Sequence, residues 1–244
     1  MKHLNVMLVG VGFLALTAWV ASPAPVATAT TYGSLTLAEK DAGWEMLFDG
    51  QTTKGWRNYK AEGVGPAWKA QDGALMLDKT DKSVQGGDLV TMEEYENFDL
   101  RLEWKISDCG NSGIMFNVKE EGYDKPYHTG PEMQVLDDKC HPDGKIVTHN
   151  SGDLYDMIQC KKKTVKPAGE WNSVRLLIKN GKASYWQNGV KVVKFEMFTP
   201  EWTAMIAKSK FKAWDGFGKA RSGRICLQDH GDTVWFRDIK IKRL

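Results

Sequence analysis

The sequence predicts an all-β protein built as a two-sheet jelly-roll sandwich, with at most one or two short helices, and three observations predict it. From Trp44 onward the chain reads as short segments of period-two patterning, enriched in β-branched and aromatic residues, which suits strands that bury one face. Gly, Asp and Asn separate those segments at close intervals, as tight turns between many short strands require. A strand-like run also closes the chain, and only one short stretch of helical wording interrupts the pattern.

Taken in order, strands are expected within GALMLDK (73–79), FDLRLEWKIS (98–107), SGIMFNV (112–118) and PEMQVLD (131–137). The long stretch 171–197 carries Asn180-Gly181 and Asn188-Gly189, the dipeptide that best tolerates positive φ at both turn positions, so it reads as two successive hairpins. Thr199 and Pro200 form a cap and first-turn pair for one short helix in TPEWTAMIAKSKF. The segment GRICLQDHGDTVWFRDIKIKRL (223–244) supplies the last strands. With no linker, repeat or low-complexity region, one domain over 43–244 is the expectation.

Ahead of it, residues 1–29 follow the grammar of a secretory signal peptide. Lys2 precedes an apolar run from Val6 to Val20, then small residues and prolines, with cleavage expected after Ala29 or Ala27. That run is short for a membrane span, and an uncleaved anchor is the alternative. The mature protein is therefore expected to be secreted or periplasmic, with no membrane segment after cleavage. Four cysteines, Cys109, Cys140, Cys160 and Cys226, show no CxxC spacing, so zinc-ribbon and thioredoxin-type chemistry have no signature here. In an exported protein Cys140 and Cys160, which flank one loop-rich segment, are the first candidate disulfide; four buried thiols are the alternative.

Composition narrows the partners. Lys and Arg number 33 against 31 Asp and Glu, so the chain has no electrostatic footprint for nucleic acid or an anionic membrane. The one basic run, KKKTVK at 161–166, reads as a solvated loop before Pro167. Ten Trp and seven Tyr suit strands, and equally suit surfaces on which sugar rings stack.

HExxH, Walker-type, GxSxG and dinucleotide fingerprints are all missing, which leaves serine hydrolysis, phosphoryl transfer and direct redox chemistry without support. Strand alternation puts Glu132 and Gln134 on the face opposite Met133 and Val135, either a solvated outer face or the floor of a polar cleft. Gln228 and His230 share a face in the same way, while Arg101, Glu103 and Lys105 form a charged row opposite Leu102, Trp104 and Ile106. Amides and a histidine are less expected than Lys, Thr or Glu on a merely wet face, which favours a site. His128, His141, His149 and His230 all sit in Gly-, Asp- or Pro-rich turns. In company with Glu132, Asp137, Asp153 and Tyr155 they could serve as acid-base pairs or as ligands of a divalent metal ion.

The ordered motifs NSGIMF, PYHTGPEMQVLDD, HPDG, HNSGDLYDMI, KPAGEWN, YWQNGVKV and GRICLQDHGDTVWFRDIKIK, from Gly43 to the C-terminus, resemble the 3-keto-disaccharide hydrolase family. The resemblance implies a concanavalin- and laminin-G-like sandwich. It also implies a carbohydrate substrate, a glycoside already oxidised at C3 by a separate sugar 3-oxidoreductase. The ketone acidifies the C2 proton, so a base can start an elimination that expels the C1 oxygen, and water can then add back. On that reading Glu132 or His149 is the base and His230 protonates or orients the leaving group. Gln134, Gln228, Asn111 and Lys105 hold hydroxyls or the developing oxyanion, with Asp137 and Tyr155 as second choices. A divalent metal ion could polarise the ketone instead, so the cofactor stays open. Asn117 stands where members of the family often carry Arg, which puts any clamp at that position in doubt. A non-catalytic carbohydrate-binding module, stacking sugars on Trp68, Trp186, Trp202 or Trp214, is the competing expectation, and a structural envelope protein is a third.

Overall fold

The structure, a computed structural model, describes Met1 and residues 32–244; the rest of the expected signal peptide lies outside the described residues. The β-rich part, Thr31–Leu244, forms one compact unit. Helix α1 (Leu37–Asp41) precedes strands β1 (Trp44–Met46), β2 (Trp56–Asn58), β3 (Trp68–Gln71), β4 (Ala74–Leu77), β5 (Leu89–Thr91), β6 (Phe98–Ile106), β7 (Asn111–Val118) and β8 (Glu132–Leu136). Strands β9 (Asn172–Lys179), β10 (Lys182–Gln187) and β11 (Val190–Glu196), helix α2 (Pro200–Lys208) and strands β12 (Arg224–Leu227) and β13 (Val234–Arg243) complete it.

Two antiparallel sheets stack face to face. One has the order β11-β10-β9-β6-β13-β4-β3, with β1 also paired to β13; the other has the order β2-β5-β12-β7-β8. Alternation decides the interior. Phe98, Leu100, Leu102, Trp104 and Ile106 of β6 meet Ile114 and Phe116 of β7 and Met133 and Val135 of β8 in one apolar core. Each such side chain, fully removed from water, contributes about 1.5–3 kcal/mol before conformational entropy is set against it.

Both Asn-Gly hairpins form, with φ of 50° and 79° at Asn180 and Gly181 and of 49° and 78° at Asn188 and Gly189, the left-handed pair that a two-residue turn needs. Thr199 caps α2 by accepting the Trp202 backbone N–H at 3.1 Å. The run 161–166 is a loop with Lys161, Lys162 and Lys163 exposed. Helix α1 was not anticipated, although its capping box, Thr36 and Glu39 bonding each other's backbone N–H, is legible as TLAE. Strands β1, β2, β3 and β5 have only three or four residues each, too few for a period to be read.

The disulfide differs from expectation. Cys109 pairs with Cys140, their Cα atoms 4.6 Å apart, while Cys160 and Cys226 are buried free thiols. Loop proximity in sequence favoured Cys160 as the partner. Sheet pairing of β7 with β8 brings the start of one strand beside the end of the other, Asn111 opposite Leu136, and so carries Cys109 to Cys140.

Candidate active site

The five-stranded sheet turns its outer face toward a cleft of about 300 Å³. Because Met133 and Val135 point into the core, Glu132 and Gln134 must point outward, and both line the cleft. On β7, Ile114 and Phe116 are core residues, so Asn111, Gly113 and Met115 take the outer face. The floor is therefore graded along the strands. Asn111, Gln134 and Gln228 line it at one end, whereas Met115, Val90, Val118 and Cys226 form a small apolar patch at the other, with Tyr59 and Tyr127 packed on it. Glu132, in register with Met115 while Gln134 is in register with Gly113, stands at the border.

Glu132 is 4% exposed, and its carboxylate accepts no hydrogen bond from the described residues. It lies over Gly113, where a Cβ would overlap Glu132 Oε1 and Cδ, so the glycine makes the room that the carboxylate occupies. Burial pushes its carboxyl up to about 8; Lys210 draws it back in part, and Asp88 and Asp143 oppose that. Lys210 lines the same cleft with its ammonium 4.0 Å from the Tyr155 ring centroid, and desolvation lowers its pKa.

Tyr155 reaches the cleft because the chain after Asn150 runs along the free edge of β8. Gly152 N–H donates to Gln134 O at 2.9 Å, Gln134 N–H to Asp153 O at 3.1 Å, and Tyr155 N–H to Glu132 O at 3.1 Å. Behind it, the His149 ring lies 4.3 Å from the Tyr155 ring, with Nε2 3.0 Å from Asp156 Oδ1 and Nδ1 3.4 Å from Asp143 Oδ2. Asp156 Oδ2 also accepts the Lys210 backbone N–H at 2.8 Å, so one carboxylate fixes both His149 and Lys210. Burial and the nearby Asp143 and Glu132 charges push the Tyr155 phenol upward, which keeps it a proton donor.

At the amide end, Gln134 Nε2 donates to Asn111 Oδ1 at 3.1 Å, and the Asn111 backbone N–H donates to Asp232 Oδ2 at 3.1 Å. Gln228 is held by its backbone N–H on Gly113 O at 3.0 Å, and its buried Oε1 has no partner among the described residues. His230 stands exposed at the mouth, its ring 6.2 Å from that of His141.

His141, His230 and Asp232 bring ligand-type atoms within 4.8 Å of one another, the grouping that a divalent ion would use. His141 Nδ1, however, accepts the Asp143 backbone N–H at 3.1 Å, which leaves the neutral ring's proton on Nε2 and makes that nitrogen a donor. A second grouping, Cys109, Asp137 and Cys140, has both thiols in the disulfide and offers no thiolate.

Of the residues selected from sequence, Glu132, Gln134, Asn111, Tyr155, Gln228 and His230 come together in the cleft. Three do not. Lys105 is on the outer face of the larger sheet, its Nζ 4.4 Å from the Trp235 ring centroid and 5.1 Å from that of Trp171. Asp137 follows the end of β8 and turns into the loop, accepting the backbone N–H of Cys109 at 2.9 Å and of Lys139 at 3.2 Å. His149 packs on the Tyr155 ring and does not line the cleft. Among the four candidate platforms, Trp68 and Trp202 are core, Trp186 lies between Arg175 and Lys191 on the larger sheet, and Trp214 lines the cleft. Asn117 occupies a bulge at φ 55° and donates to Ala220 O at 2.9 Å. Sequence reasoning missed Lys210, Tyr127 and Gly113. The glycine's place in NSGIMF, opposite a carboxylate-bearing strand, was the one available signal.

Residues 43–242 match the family described as a 3-keto-alpha-glucoside-1,2-lyase-like domain. A Bacteroides thetaiotaomicron protein named 3-keto-disaccharide hydrolase is 36% identical over 237 residues, covering 86% of this chain and 82% of that protein. A crystal structure from Parabacteroides distasonis, provisionally named a glycosyl hydrolase, superposes with a TM-score of 0.80 at 34% identity and covers 88% of this chain and 100% of that one. A Bacillus subtilis protein with a galectin-like fold, at 10% identity and a TM-score of 0.51 over 88% of this chain and 95% of its own, shares the sandwich alone.

Proposed function

The chain belongs to the 3-keto-alpha-glucoside-1,2-lyase-like family, and we propose that it cleaves the glycosidic bond of 3-keto-glycosides or 3-keto-disaccharides by elimination followed by hydration. The observation that carries this reading is the Glu132 carboxylate: buried, with no hydrogen-bond donor on it among the described residues, seated over Gly113, and at the border between the amide and apolar ends of the cleft floor.

Glu132 takes the C2 proton of the bound sugar. The C–H electron pair enters the C1–C2 bond as the C1–O bond breaks, and the leaving oxygen collects a proton. Water then adds at C1 of the resulting enone and a proton returns to C2, so the net change is hydrolysis. C1 and C3 flank C2, and the cleft supports that polarity. Asn111, Gln134, Gln228 and His230 stand at the end suited to the C3 oxygen and the sugar hydroxyls. Tyr155, whose phenol burial keeps protonated, and Lys210 line the cleft with Glu132 and would meet the departing C1 oxygen. His230 is thereby moved from the leaving group to the ketone end, and His149 positions Tyr155. The substrate class requires an oxidoreductase upstream that makes the C3 ketone. The Cys109–Cys140 disulfide supports an oxidising compartment, hence the secreted or periplasmic location that the first 29 residues suggest.

The test is release of a chromogenic aglycone from a 3-keto-glucoside by the purified protein, with and without chelator, beside Glu132→Gln. Wild type is expected to release it and Glu132→Gln to lose turnover while keeping its circular dichroism spectrum. Undiminished turnover in that variant removes Glu132 as base. Loss with chelator assigns a metal. Reversible binding of the unoxidised glucoside with no turnover of any ketone replaces the reaction with a binding module.

A further inference from the structure

Beside helix α2 runs a second cavity, of about 350 Å³, lined chiefly by Phe198, Trp202, Ile206, Ala207 and Phe217. It adjoins the reaction cleft, because Trp214 lines both. The shared tryptophan is held by neighbours, its ring centroid 5.1 Å from His128, 5.3 Å from Tyr127 and 5.7 Å from Phe211. The groove wall is equally firm: Trp202 stacks on Phe195 at 5.4 Å, and Phe217 stacks on Phe211 at 3.8 Å. A preformed apolar wall binds a matching surface without ordering cost.

Resting on the reading above, we propose that this groove is the leaving-group subsite and that it takes a large apolar, ring-containing aglycone. The position follows from the graded floor. Tyr127 packs on the apolar patch beyond Glu132 and Trp214 packs on Tyr127, the side toward which the C1 substituent points when the sugar occupies the amide end. The chemical class follows from the lining. The one hydroxyl, of Thr203, is used on Thr199 O at 3.2 Å, and the charged Lys212, Asp215 and Lys219 are exposed to solvent, so the apolar wall of Phe198, Trp202, Ile206 and Phe217 offers a second sugar's hydroxyls no side-chain partner. A fused aromatic or alicyclic aglycone needs none and gains from burial against five apolar side chains.

The test compares 2-naphthylmethyl and methyl 3-keto-glucosides, whose leaving groups are both simple alcohols. It is paired with calorimetry on the unoxidised 2-naphthylmethyl and methyl glucosides and on a glucose disaccharide. Wild type should favour the naphthylmethyl compound at least about tenfold in kcat/KM and in Kd. Ala207→Glu, an exposed position whose change leaves the core intact, should lower both ratios at least about fivefold, as should Trp214→Ala. Equal affinities for the two glucosides, tighter binding of the disaccharide, or ratios unmoved by Ala207→Glu overturn the subsite. A binding preference that responds to Ala207→Glu, with no turnover of any ketone, leaves the subsite standing and removes the reaction. Turnover indifferent to the aglycone does the reverse.

Discussion

A single missing methyl group sets the geometry of the cleft. Since a Cβ at Gly113 would overlap the Glu132 carboxylate, Gly113→Ala must displace that side chain from the place it holds in the cleft floor. The expected outcome is a fall in kcat of about 100-fold, the scale of an ångström's misplacement, with stability lowered by about 1–3 kcal/mol. Steady-state kinetics and thermal melts of the same preparation check both. Glu132 itself gives a signature in pH. Its folded carboxyl titrates near 8 against an ordinary value of 4.5, so between those values the unfolded chain loses a proton that the folded chain keeps. Stability is therefore expected to fall as pH rises from about 4.5 to 8, and Glu132→Gln should flatten that slope and be the more stable protein at pH 8 by at least about 2 kcal/mol. Denaturant melts across that range decide it. In kcat/KM a base must be deprotonated, so the rate should climb with pH to a plateau above about 8; a decline over the same interval would make Glu132 an acid.

At the scale of elements, the cleft depends on pairings between segments distant in sequence. Asp156 ties the strip that follows β8 to the turn that follows α2, holding His149 Nε2 on one oxygen and the Lys210 backbone on the other. Asp156→Ala releases both, and kcat/KM should fall about 10- to 100-fold, the usual effect of losing a supporting contact. If the role is positioning, Asp156→Asn should recover part of the loss, since its Oδ1 still accepts one of the two bonds, and kcat should move more than KM. Equal activity in wild type and Asp156→Ala would remove the tether from the argument. The hairpins show the contrasting case. Asn180-Gly181 and Asn188-Gly189 act on immediate neighbours through backbone φ alone, which is why β9, β10 and β11 could be placed from sequence. Strand β8 was legible for a related reason: period two separates Glu132 and Gln134 from Met133 and Val135 whatever the sheet does.

Across the whole molecule, the Cys109–Cys140 bond closes a loop of 31 residues that contains β7, β8 and most of the cleft floor. In the chain-entropy model such a loop contributes about 3–4 kcal/mol, so reduction, or the double change to Ser, should lower the melting temperature by roughly 10 °C. Scanning calorimetry with and without reductant measures it, and an unchanged melting temperature would mean that the bond constrains nothing. By itself the sequence determined the sandwich class, the hairpins, the cap of α2, the outward pair Glu132 and Gln134, and the pair Gln228 and His230. Each follows from spacing within one segment, although Gln228 and His230 reach the cleft from the segment after β12, which ends at Leu227, and not from the alternation of a strand. Tertiary structure alone decided that those two rows share a cleft, that Cys109 reaches Cys140, that Lys105, Asp137 and His149 stay outside, and that Lys210 and Trp214 arrive from the far side of α2. These are consequences of register between strands and of where the chain re-enters the sheet, and pair contacts of that range leave no period in a sequence to be read.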